Sequence, residues 1–242
     1  MFPDLPGELE IVSETGSTNA DLVARLRAGE AAREGHWLIA DRQVSGRGRQ
    51  GREWFDGAGN FMGSTVVRRA PGDPPAPSLS FLAGLAVWEA ASRYLPDPSR
   101  LTLKWPNDLM LDSAKLAGIL LEAIDGAVVV GVGVNLAGAP TIPDRPAIAL
   151  STLGPVPDRD TFASILAGAF ATELERWRQY GLEPLLARWQ SVAHPPGTPL
   201  TVHEPGSGTV SGTFAGLDRD GAMRLRCADG SIRSIHAGDV FV

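Results

Sequence analysis

Gly46-Arg47-Gly48-Arg49-Gln50-Gly51-Arg52-Glu53-Trp54 carries the spacing Gly-x-Gly-x-x-Gly, and what surrounds it decides the fold. That spacing marks the dinucleotide fingerprint of a doubly wound sheet only where a helix opens at the third glycine and an acid follows about 20 residues on. Neither condition is met. Arg52-Glu53-Trp54-Phe55-Asp56-Gly57 is not a helix opening, and Arg68 and Arg69 occupy the zone where the acid would stand. A Gly-Lys-Ser/Thr triplet is also missing, so the run is no phosphate-cradling P-loop. The run is then a loop between two apolar segments, residues 36–40 and 61–67. Glycine lets backbone approach a ligand closely, and arginine offers a permanently charged planar donor fork for carboxylate or phosphate. Trp54 adds a stacking face, which a merely solvated basic loop would not need. The loop suits an anionic, ring-bearing small molecule.

Outward from the loop the chain alternates strand and helix signals. Residues 8–12 read as a strand, and Ser17 or Thr18 as the N-cap of a helix with Asp21 in its first turn. Residues 78–94 place Leu79, Leu82, Ala83, Ala86 and Ala90 at helical spacing. Residues 101–104, 116–124 and 128–136 are apolar and partly β-branched, as sheet strands are. Residues 159–180 and 182–192 read as helices broken near Gly181 and Pro184. Composition changes at His194-Pro195-Pro196-Gly197, followed by short strands at 200–203, 209–217, 223–226 and 232–236, the later ones separated by Asp220-Gly221 and Asp229-Gly230 turns. The expected class is α+β: a mixed sheet with packed helices over residues 1–195, then a small β-barrel over 196–242.

Bulk properties narrow the function. Of 242 residues, 22 are Lys or Arg and 28 Asp or Glu, a net charge of −6 that argues against bulk nucleic-acid binding. Against that balance, four arginines and no acid lie between Arg42 and Arg52. The single cysteine, Cys227, excludes an internal disulfide and fits a reducing cytoplasm. Residues 1–10 lack a basic, then apolar, leader, and no stretch approaches the roughly 20 apolar residues of a membrane span. His36, His194, His203 and His236 show no metal-ligand spacing.

Three further clusters carry chemistry. In Lys104-Trp105-Pro106-Asn107-Asp108 a strand runs into a proline, which presents Asn107 and Asp108 where the strand ends. In Lys115-Leu116-Ala117-Gly118-Ile119-Leu120-Leu121-Glu122 a lysine opens an apolar strand, and Gly118 leaves room beside it. In Gly131-Val132-Gly133-Val134-Asn135 glycines interrupt a strand that ends on Asn135. Each alone could be an ordinary turn or surface charge.

Together and in this order, with Ser17-Thr18-Asn19 and Gln43 ahead of them, they resemble the biotin–protein ligase family. The resemblance runs from about residue 10 to the C-terminus, where Gly216-Leu217-Asp218-x-x-Gly221-Ala222 looks like that family's SH3-like barrel. It implies an α+β, class II synthetase-like catalytic domain. It also implies a reaction: biotin and ATP give biotinyl-5′-AMP and pyrophosphate, and biotin then passes to one lysine of a biotin carboxyl carrier protein. By the resemblance, Ser17, Thr18, Asn19 and Gln43 hold biotin. Gly46, Arg47, Gly48 and Arg49 fold over it, with Gly118 and Gly133 as floor. Arg47, Arg49, Arg52, Trp54, Asn107 and Asn135 meet the nucleotide, Trp54 covering the adenine. Lys115 reaches the carboxylate and the α-phosphate. Lys115, Arg49 and Asp108 are the expected catalytic set.

Transfer needs a neutral amine, and a free lysine has a pKa of about 10.4. Asp108 could accept its proton or instead coordinate Mg²⁺. A lipoate–protein ligase shares this fold and is the rival reading. Bifunctional members add a DNA-binding domain of about 60 residues; only sixteen residues precede Ser17, so no DNA partner is expected. No membrane partner is expected either, and an exposed sheet edge could pair two copies into a homodimer.

Overall fold

The computed structural model describes residues 8–30, 32–143, 145–204, 206 and 208–242. The leader reading of residues 1–10 lies largely outside them. A seven-stranded sheet has the order β1-β2-β3-β7-β6-β5-β4. Its strands are β1 (Leu9–Thr15), β2 (Trp37–Gln43), β3 (Phe61–Arg68), β4 (Leu101–Lys104), β5 (Asp108–Leu111), β6 (Ala114–Ile124) and β7 (Ala127–Val134). Parallel β1 and β2 are joined through helix α1 (Thr18–Arg27), and the other neighbours are antiparallel. Helices α2 (Leu79–Ser92), α3 (Arg159–Tyr180) and α4 (Leu182–Ser191) follow. The second sheet, order β11-β10-β9-β8-β12, holds β8 (Pro199–Glu204), β9 (Gly208–Leu217), β10 (Met223–Arg226), β11 (Ile232–Ile235) and β12 (Asp239–Phe241).

Parity along β7 shows what the sheet does. Val128, Val130, Val132 and Val134 point into the larger core, with Leu82 of α2, Phe162 and Trp177 of α3, and Trp189 of α4. Ala127 and Val129 point the other way, into a smaller cluster with Leu22 of α1, Leu38 and Val66. Gly131 and Gly133 continue that second parity, so the α1 face becomes bare just past the start of α1. Helix α1 begins there because Ser17 is extended and its hydroxyl accepts from Ala20 N at 3.5 Å, with Asp21 in the first turn and Arg25 and Arg27 in the last.

The sequence reading needs three adjustments. β2 runs on to Gln43, which puts that side chain at a strand end beside α1. A strand, β4, ends at Lys104 as read, but the Lys104–Asp108 segment also turns a hairpin into β5, with Lys104 and Asp108 as cross-strand partners. The second sheet is open among the described residues: its edge strands β11 and β12 share no ladder. The Asp220-Gly221 and Asp229-Gly230 turns are as read, with positive φ at both glycines. The two sheets touch through Trp105 Nε1, which donates to Gly221 O at 3.1 Å, and Leu217 N, which donates to Gln190 Oε1 at 2.9 Å. Among the described residues, no helix is long and apolar enough to cross a membrane.

Candidate active site

A cavity of about 280 Å³ opens on the bare part of the α1 face. Every residue expected at the site borders it except Gly46, which lies behind the wall against Trp54. At Gly133 and Gly131 other groups already fill the space of a side chain, and at Gly118 the fit is merely tight. A Cβ on Gly133 would lie 2.2 Å from Trp54 Cε2, one on Gly131 2.3 Å from Asn19 Oδ1, and one on Gly118 3.0 Å from Lys115 Nζ.

One wall is neutral and polar. Thr18 N donates to Gln43 Oε1 at 2.8 Å. Thr18 Oγ1 lies 2.7 Å from Ser64 Oγ, whose hydroxyl donates to Asn19 Oδ1 at 2.6 Å. Asn19 Nδ2 in turn donates to Glu122 Oε2 at 2.7 Å. Ser17 borders the cavity beside them and is buried.

The opposite wall is cationic. The arginine loop folds back on itself: Trp54 N donates to Gly46 O at 2.9 Å, Gly48 N to Arg52 O at 2.7 Å, and the backbones of Arg47 and Glu53 pair as an isolated antiparallel bridge. Its tip turns through Gln50 and Gly51, at φ of 57° and 73°. This hairpin lays the Trp54 indole over the glycine floor, with Lys115 Nζ 5.6 Å from its ring centroid. Arg49 Nη1 donates to Asn107 Oδ1 at 2.9 Å, and Asn107 Nδ2 to Ile119 O at 2.7 Å. Burial lowers the Arg49 pKa, against the pull of Asp239 and Asp108. Arg52 Nη2 reaches Asp239 Oδ1 of β12 at 2.5 Å, so the second sheet closes this side. Arg47 is exposed and has no ion pair among the described residues.

Asp108 is the carboxylate between these walls. Lys115 Nζ is 2.7 Å from its Oδ1 and Lys104 Nζ 3.7 Å from its Oδ2. The Lys115 contact is a charge contact rather than an aligned hydrogen bond, since Oδ1 has no partner of bonding geometry. Burial pushes the Asp108 pKa up, but Lys115, Lys104 and Arg49 outweigh it and hold it below the usual carboxylate value. Lys104 is lowered by its own burial, and its ammonium donates to Val240 O of β12 at 3.1 Å. Besides Asp108 Oδ1, two buried polar atoms at the site have no hydrogen-bond partner among the described residues: Trp54 Nε1 and Asn135 Oδ1. Among the described residues no three His, Cys, Asp or Glu side chains gather as a metal cage.

The sequence reading passed over Glu122 as a side chain, Lys104 as a site group, Asp239, and the segment around Ile142 and Arg145 that covers one rim. Lys104 lies inside a motif and could have been found. Asp239 carries no local signal, because only the docking of the second sheet brings it near.

The glycine floor, the arginine hairpin and the paired lysines line one cavity, and the fold around them is that of a ligase family. The chain belongs to the biotin/lipoate A/B protein ligase family: that family's profile matches residues 15–138, and a biotin protein ligase C-terminal domain matches residues 199–242. It is 38% identical over 245 residues to a biotin–[acetyl-CoA-carboxylase] ligase of Paracoccus denitrificans, covering 96% of this chain and 99% of that protein. It is also 38% identical to the enzyme of that name from Mycobacterium tuberculosis, over 96% of this chain and 88% of the relative. Among solved structures, a biotin protein ligase from Aquifex aeolicus in complex with biotin and ATP superposes with a TM-score of 0.82 at 26% identity, covering 97% of both chains.

Proposed function

We propose that the chain is an ATP-dependent biotin–protein ligase. It joins biotin to ATP to give biotinyl-5′-AMP and pyrophosphate, then passes biotin to a lysine of a biotin carboxyl carrier domain. The observation that carries the reading is the pairing of walls: a neutral hydrogen-bonding wall and a cationic wall meet over one glycine floor. The neutral wall suits a ureido ring. The cationic wall suits a carboxylate and a phosphate held side by side, where preorganised charge is usually the largest catalytic contribution. A dithiolane ring carries no hydrogen-bonding groups to match this polar wall, which argues against lipoate.

Ser17, Thr18, Asn19 and Gln43 form the biotin end. Gly46, Arg47, Gly48 and Arg49 cover it, and Gly118 and Gly133 keep the floor open. Arg49 and Lys115 hold the carboxylate and α-phosphate oxygens as the carboxylate attacks phosphorus and pyrophosphate leaves. Arg47, Arg52, Trp54, Asn107 and Asn135 meet the rest of the nucleotide; the unpartnered Asn135 Oδ1 and Trp54 Nε1 supply an acceptor and a donor there.

Mg²⁺ would be held chiefly by the ATP phosphates, whose charge it would offset, because the two ammonium groups beside Asp108 make that carboxylate a poor ligand for a cation. Asp108 then serves the second step. With Lys115 drawn to the adenylate, Asp108 loses its nearest cation and becomes a better proton acceptor for the incoming amine. The amine attacks the carbonyl of the mixed anhydride and AMP leaves. We divide the catalytic domain from the C-terminal one at residues 195 and 196. The use of ATP and of a carboxylase carrier supports a cytoplasmic location. The open edge of β1 is where two copies would pair as a homodimer.

The test is pyrophosphate release with ATP plus biotin or ATP plus lipoate, followed by transfer to a carrier domain. Biotin should be activated, and Lys115→Ala should lose about 10²–10³ in rate. Activation of lipoate in its place would install the rival reading.

A further inference from the structure

Glu122 belongs to no part of the chemistry above, yet it anchors the neutral wall. It lies on β6 with the parity of Gly118 and Leu120, on the cavity face of the sheet. We propose that Glu122 is a positioning residue for the biotin end, setting through Asn19 the direction of the hydrogen bonds that run through Ser64 to Thr18; this rests on the biotin reading given above.

Each hydroxyl in the wall has one proton to give. A carboxylate oxygen accepts from an amide nitrogen. Glu122 therefore fixes the Asn19 amide with nitrogen toward itself, at 2.7 Å, and oxygen toward Ser64. Asn19 cannot swing clear, since it is buried and packed on Gly131, where even a Cβ would come within 2.3 Å of its Oδ1. Asn19 Oδ1 takes the one proton of Ser64 at 2.6 Å. Ser64 Oγ can then only accept, and it takes the proton of Thr18 across 2.7 Å. Thr18 Oγ1 also lies 3.1 Å from Gln43 Oε1, but its single proton goes to the shorter contact. Gln43 is held instead by the Thr18 backbone N–H at 2.8 Å, which turns its amide nitrogen away from Thr18, toward the backbone of Gly46. The wall thus offers the ligand an ordered set of lone pairs and one amide donor. Without an acceptor at position 122, the Asn19 amide can flip and the hydroxyl chain can run either way. A ligand would then have to order the wall as it binds.

The experiment measures biotin affinity by titration calorimetry on the full chain, alongside KM for ATP, kcat at saturating biotin and the thermal midpoint. Glu122→Met keeps length and removes the acceptor; biotin binding should weaken about tenfold or more, with KM for ATP and kcat within about twofold. Asn19→Asp alone sets two carboxylates face to face and should weaken biotin binding further. Adding Glu122→Gln to Asn19→Asp exchanges donor and acceptor between the two positions while an acceptor still faces Ser64, and should restore affinity to within about threefold of wild type. The proposal is overturned if Glu122→Met binds biotin as the wild type does, if it loses biotin, ATP and stability in step, or if the paired substitution brings no recovery. Failure of the wild type itself to bind biotin would overturn the ligase reading instead.

Discussion

The two faces of the seven-stranded sheet are made from the same strands and do opposite things. On the helix-covered face, β7 presents Val128, Val130, Val132 and Val134 to α2 and α3, and the contribution is stability. On the other, the alternate residues shrink from Ala127 and Val129 to Gly131 and Gly133, and the contribution is room. A strand reverses its side chains every residue, so adjacent positions should separate function from stability.

Gly133→Ala should give the sharpest effect. Its new methyl meets the Trp54 indole, and displacing the lid by about 1 Å should cost roughly a hundredfold in biotin activation, with little change in unfolding. Val130→Ala is the converse: loss of a fully buried side chain should cost about 2 kcal/mol in denaturant unfolding while KM for biotin holds. If both substitutions moved both readouts, the division between the faces would be lost.

A smaller effect sharpens the cationic side. The Asp108 pKa is depressed in the fold, so its charge stabilises at and above the ordinary value of about 3.9, and that stabilisation goes as pH falls through the lower folded value. Lys104→Met removes one of the cations that depress it. The Asp108 pKa should rise, moving the acid limb of the transfer step and the acid unfolding transition to higher pH. A profile that stays in place would mean Lys104 does not set the charge state of Asp108. Smallest in amplitude, the amides of residues 42–55 should exchange hydrogen faster without ligand than with biotin and ATP. The hairpin has only a few backbone bonds of its own and two long side-chain ties, Arg49 to Asn107 and Arg52 to Asp239. Equal protection in both states would make it a fixed wall rather than a lid.

The helix-covered face was largely legible in the sequence, because long periodic segments such as α2, α3 and β7 announce themselves. The site was legible as motifs but not as geometry. Lys104 and Asp108 are four apart in sequence, and only the β4–β5 hairpin makes them cross-strand partners. β5 was not read from the sequence, since its four residues are too few to show a period. β12 is shorter still, and Asp239 gains meaning only from Arg52, far away in the chain. The neutral wall was half read: Ser17, Thr18, Asn19 and Gln43 were evident, whereas Ser64 and Glu122 depend on register across β3, β7 and β6.

The contact between Lys115 and Trp54 has an optical consequence. Indole emission shifts with charge placed near the ring, and here an ammonium group rests 5.6 Å from the centroid. If that ammonium moves to a ligand's oxygens, the emission of Trp54 should change, and occupancy of the site could be followed without a label. The difference between wild type and Trp54→Phe would isolate that signal from the other tryptophans. An identical difference spectrum with and without saturating biotin and ATP would mean that the lysine and the indole keep their places throughout the reaction.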